Sequence, residues 1–130
     1  MAASQEMQDV PQVVATPDAL ALIEQLRQRH GPLMFYQSGG CCDGSAPMCH
    51  ARGEMLTGDG DKLLGEVGGE PFWISRELYP YWLHTQLVLD AEAGRAGGFS
   101  LEGGTGLHFV SRARFYEEAE WAWLEANGRV

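Results

Sequence analysis

A chain of 130 residues fits one domain that buries roughly two-thirds of its unfolded surface, so neither disulfides nor a metal is needed merely to fold it. Nine basic residues against 18 acidic ones leave a net charge of −9, which sets most of the surface against nucleic-acid phosphates and anionic membranes. A 45% hydrophobic and 21% charged composition excludes the disordered and fibrous classes.

The opening MAASQEMQDVPQVVATPD has no basic start and no apolar centre, so it is not read as a secretory signal, and no apolar run approaches the roughly 20 residues of a membrane span. A cytoplasmic location follows as the expectation. Residues 1–15 are polar, small and without periodicity and are expected to form a flexible tail; residues 16–130 are expected to form a single α+β domain. Order begins with TPDALALIEQLRQRHGP, a predicted helix. Thr16 is placed to cap it, Pro17 to open it, Asp18 and the basic Arg27, Arg29 and His30 to complement its dipole, and Gly31 and Pro32 to stop it. Leu20, Leu22, Ile23 and Leu26 supply the apolar face that would lie on a sheet.

Glycine-punctuated segments of strand length follow: PLMFYQ, GEMLTG, KLLGEV, EPFWIS, HTQLVLDA, GFSLE and GLHFVSR. Gly68 and Gly69 mark a hairpin connection between KLLGEV and EPFWIS. SRELYPYW is predicted as a short helix with Ser75 as its cap, and RFYEEAEWAWLEANG as a closing helix stopped by Gly128. The expected fold is therefore α+β, with mostly antiparallel sheets, an N-terminal helix, a short helix before TQLVLD and a C-terminal helix.

All three cysteines fall in YQSGGCCDGSAPMCH, after the first long strand and among turn-forming residues. A reversal there could set Cys49 opposite Cys41 or Cys42, with His50 or Asp43 beside them. Such a set would suit zinc, iron or an iron–sulfur centre better than magnesium or calcium. The spacing is CC-x6-C rather than paired CxxC. Two other readings stay open: cysteines packing as small apolar residues in a buried turn, or a reactive thiol activated by His50, His84 or backbone N–H groups. His84, at the head of HTQLVLD, would face the site if that strand ran beside the first one. His108 has the same ambiguity, and His30 reads as a helix cap. AGRAGGFSLEGGTG matches no phosphate-loop pattern and reads as two connections around a strand. Trp121 and Trp123 widen the apolar stripe of the last helix, which could cover the core or meet a partner.

GPLMFYQSGGCCDGSAPMC, YWLHTQLVLD and GRAGGFSLE together resemble a small bacterial family of unknown function, often associated with aldehyde (acetaldehyde) dehydrogenases, over roughly residues 20–115. A more distant similarity is to the A-type iron–sulfur carriers of the HesB-like group, in the order helix, strand, cysteine turn, strands, TQLVLD, GFSLE. This second resemblance implies a HesB-like fold in which Cys41 or Cys42 matches the carriers' loop cysteine, and Thr85 to Leu87 and Gly98 to Ser100 match structural positions. The carriers' CxC tail has no counterpart in HFVSRARFYEEAEWAW, so Cys49 and His50, or a second subunit, would have to complete a site.

The expected function is a non-enzymatic accessory protein binding a transition metal (zinc or iron) or an iron–sulfur cluster through Cys41, Cys42, Cys49, His50 and His84. The first resemblance implies an aldehyde dehydrogenase as protein partner, and a homodimer is a further expectation. A thiol-based redox factor or enzyme, and a metal-free interaction module docking through Trp121 and Trp123, are the alternatives.

Overall fold

The computed structural model describes residues 10–38, 44–95 and 100–130. The first helix, α1 (Pro17–His30), starts and stops where its local chemistry requires. Thr16 Oγ1 accepts the Ala19 N–H at 3.2 Å, and Gly31, at φ 80°, donates its N–H to the Arg27 carbonyl at 2.8 Å. Ala19, Leu22, Ile23 and Leu26 form its buried face. Leu20 was expected on that face but is 41% exposed, because it lies about 100° round the helix from Ala19.

The expectation of a tail reaching residue 15 is corrected for residues 10–15. Val10 and Val13 are buried, and β1 (Val13–Ala15) pairs in parallel with β6 (Thr85–Ala93), Val13 facing Leu87. Two adjacent β-branched residues favour a strand, but the partner lies more than 70 residues away and gives no local signal. Val13 also packs over β4 (Asp61–Val67): a Cβ on Gly65 would stand 2.9 Å from Val13 Cγ1, so the close approach requires glycine there.

Among the described residues the strands form two mixed sheets. The first has the order β1-β6-β7, with β7 spanning Leu107–Phe115. The second has the order β3-β2-β5-β4, from β2 (Leu33–Gln37), β3 (Met48–Ala51), β4 and β5 (Glu70–Ser75). The pairs β2–β3, β4–β5 and β6–β7 are antiparallel, whereas β1–β6 and β2–β5 are parallel. The expected hairpin is present: Val67 pairs with Glu70 across Gly68 and Gly69, whose φ values of 57° and 85° suit the two-residue turn that matches strand twist. GEMLTG, expected as a strand, is instead the turn and loop between β3 and β4, and Ser100 to Glu102 of GFSLE lie outside any strand and lead into a turn. The short helix α2 (Tyr79–Trp82) is a single turn, with Ser75 Oγ accepting the Leu78 N–H just before it. The closing helix α3 (Glu118–Ala126) starts with a reciprocal capping box between Glu117 and Glu120.

The sheets share one core. Phe35 of β2 stacks on Phe72 of β5 at 5.8 Å and meets Phe109 of β7 edge-on at 5.0 Å, so one aromatic contact crosses from sheet to sheet. Leu87, Leu89 and Ile74 fill the space around them. Among the described residues no helix is long and apolar enough to cross a membrane.

Candidate functional site

The cysteine segment is the connection of the β2–β3 hairpin, and its two feet are tied to the other sheet. Gln37, the last residue of β2, is fully buried although its amide is polar. Ser111 Oγ of β7 donates to Gln37 Oε1 at 2.6 Å, and Gln37 Nε2 donates to Ser45 Oγ at 3.2 Å. The backbones close the same contact: the Gly44 N–H reaches the Ser111 carbonyl, and the Ser111 N–H the Ser45 carbonyl, each at 2.7 Å. A buried amide and hydroxyl are tolerated only when paired, so this network sets the position of both ends of the turn. Cys41, Cys42 and Asp43 lie outside the described residues.

Cys49 is placed differently from expectation. The register pairs it with Phe35 of β2, a strand that ends at Gln37, and its side chain belongs to the common core with no solvent exposure. Burial pushes its thiol far above the ordinary value, and the negative charges of Glu102 and Glu70 add to that. A protonated, enclosed thiol is the opposite of an activated nucleophile. Its backbone is held as firmly: the Cys49 N–H donates to Ser100 Oγ at 2.8 Å, and its carbonyl accepts the Leu101 N–H at 2.9 Å. Ser100 donates in turn to the buried Glu102 carboxylate, whose other oxygen accepts the Phe109 N–H at 3.1 Å.

The histidines do not join Cys49. His50 follows it in β3, so strand alternation sends its side chain to the opposite face, across from Met34. His84 precedes β6, which pairs with β1 and β7 and never with β2, so the expected neighbourhood does not arise. Its ring packs at a tilt against Trp121 instead, with centroids 4.7 Å apart. His108 Nε2 lies 3.3 Å from the Glu92 carboxylate. Among the described residues, no three His, Cys, Asp or Glu side chains gather as a ligand set.

Sequence reasoning missed the Gln37–Ser45–Ser111 network and the Ser100–Glu102 bridge. A glutamine ending the apolar run LMFYQ was a usable hint to the first, because a strand that enters the core must pair such a residue. Its partner in β7 has no signature in the linear chain.

On the outer side of the same sheet, Tyr36 donates its hydroxyl to Asp61. Burial, with the Asp61 hydrogen bond and charge, pushes the phenol up to about 12, so Tyr36 is a fixed donor at neutral pH. Chemically, the described residues offer two strand ends fixed on β7 by Gln37, Gly44 and Ser45, and one thiol, Cys49, sealed in the core.

Neither a curated protein nor a solved structure matches the chain. The family model described as a domain of unknown function, DUF779, matches residues 22–115, which takes in β2 to β7 and the cysteine segment but not β1, and the chain belongs to that family.

Proposed function

We propose that the protein is a non-enzymatic accessory protein, acting in the cytoplasm, that binds zinc, iron or an iron–sulfur species through Cys41 and Cys42 at the tip of the β2–β3 hairpin. The observation that supports this is the clamp of Gln37 and Ser45 on Ser111, which holds both feet of a two-cysteine turn against a second sheet. Fixed feet lower the ordering cost of presenting thiolates to a metal. Cys49 serves as a core residue beneath the tip. One chain then supplies two thiolates, short of the four used by a structural zinc site or a common iron–sulfur cluster, so two tips meet across a homodimer. The order α1, β2, cysteine turn, β3 to β5, α2, β6 also supports a HesB-like reading of the fold.

Protein purified anaerobically is assayed for metal and sulfide, titrated with zinc and ferrous iron, and sized in an ultracentrifuge. The expected result is stoichiometric binding, micromolar or tighter, accompanied by dimerisation and lost in a Cys41→Ser/Cys42→Ser variant. No stoichiometric binding, or full retention in that variant, removes the proposal. The resemblance of GPLMFYQSGGCCDGSAPMC to the dehydrogenase-associated family extends it to a client, an aldehyde dehydrogenase. Co-elution of the two proteins checks that extension, and separate elution discards it.

A further inference from the structure

The outer face of the β2–β3 hairpin carries soft donors where a solvent-facing sheet usually carries hydroxyls and charges. With Phe35 and Cys49 turned inward, alternation puts Met34 and Tyr36 of β2 and Met48 and His50 of β3 on the opposite face. The register sets Met34 directly across from His50 and Tyr36 across from Met48. Directly opposed side chains start about 5 Å apart, and a diagonal neighbour such as Met48 remains within reach of a long side chain like Met34. Met34 is 3% exposed, while Met48 and His50 are half-buried, so the patch is shielded on one side and open on the other. Met55 joins Met34, Pro71 and Trp73 in lining an adjoining groove of about 340 Å³. Every methionine among the described residues is therefore on this face or in its groove.

Lining a groove with Trp73 accounts for a thioether at Met34, but it does not call for an imidazole directly opposite with a second thioether beside it. Two thioethers and an imidazole make a neutral, soft donor set. Thioethers need no deprotonation and favour cuprous copper over magnesium, calcium or manganese. A monovalent cation also leaves less uncompensated charge on a site without a carboxylate than zinc would. We infer that Met34, Met48 and His50 form a binding site for a soft monovalent cation, cuprous copper, separate from the cysteine tip.

The test uses the full chain carrying Cys41→Ser and Cys42→Ser, so its outcome is independent of metal binding at the tip. Cuprous ion is titrated anaerobically against a chromophoric chelator, and silver(I) is added to protein labelled with ¹³C at the methionine methyls. The expected result is one equivalent of copper bound and silver-induced shifts of the Met34 and Met48 methyl signals. Copper affinity should fall at least about tenfold in both Met48→Leu and His50→Gln. Circular dichroism confirms folding, and His50→Gln, half-exposed, serves if Met48→Leu unfolds. Absence of copper binding in the cysteine-free-tip protein, binding indifferent to His50→Gln, or silver shifts that bypass Met34 and Met48 would overturn the inference.

Discussion

Cys49 reads in the linear chain as one of three clustered thiols, and in the fold it is a core residue. That placement rests on strand register: pairing with Phe35 goes with a Cys49 side chain in the common core, and the adjacent His50 necessarily turns away. A one-residue slip would exchange their places, which is why clustering in sequence could not say whether Cys49 is enclosed. Native protein treated with iodoacetamide is therefore expected to leave Cys49 unmodified, with labelling at least about 100-fold slower than in guanidinium-unfolded chain, since it must wait for opening of the core. Peptide mass mapping before and after denaturation checks this. Rapid native labelling of Cys49 would show that β3 does not hold the register described.

At the scale of elements, what could be read from the sequence was what is local. The cap of α1 by Thr16, its stop at Gly31, the Gly68–Gly69 hairpin and the closing helix each depend on residues within a few positions, and all are present. Sheet order was not legible, because β1 finds β6 and β2 finds β5 across long separations. The same holds for the hairpin's anchor, whose halves sit 74 residues apart. Removing the Ser111 hydroxyl deletes a donor to a buried amide oxygen, and the net worth of one such hydrogen bond is about 0.5–1.5 kcal/mol. Ser111→Ala is expected to lose stability by that amount in urea unfolding. If Cys41 and Cys42 bind metal, it should also weaken that binding more than an exposed substitution of similar stability cost does.

For the whole molecule, three depressed carboxyls among the described residues contribute to the response to acid. Burial works to raise Glu70, but the Arg27 side chain (2.6 Å), the Leu33 N–H (3.0 Å) and Arg52 outweigh it, and the net shift is downward. Asp90 is lowered chiefly by the Thr16 hydroxyl, and Glu120 by Arg114. Each folded value lies below its unfolded one, so the unfolded chain binds more protons in the interval between them. The stabilisation is complete above the unfolded carboxyl range near pH 4 and is lost as pH falls through the folded values. Thermal midpoints are expected to hold steady from about pH 7 to 5 with respect to these groups and to drop below about pH 4. Glu70 ties α1, β2 and the turn after β3 to β5, so Glu70→Gln should lower stability at neutral pH by about 2 kcal/mol and flatten part of the acid slope. An unchanged acid slope in that variant would show that Glu70 does not titrate with folding.

The clamp of Gly44 and Ser45 on Ser111 also orders events in time. A growing chain that has emerged only as far as β5 holds β2, β3 and all three cysteines, yet β7, which anchors the hairpin's feet, has still to be made. Non-local pairings of this kind form late, after the loop between them has closed. The anchors at Gly44 and Ser45, which follow Cys41 and Cys42 in the chain, are therefore made only when both sheets have met. Until then those two thiols belong to an unfinished protein, and a metal bound as proposed at Cys41 and Cys42 would be loaded after synthesis rather than during it.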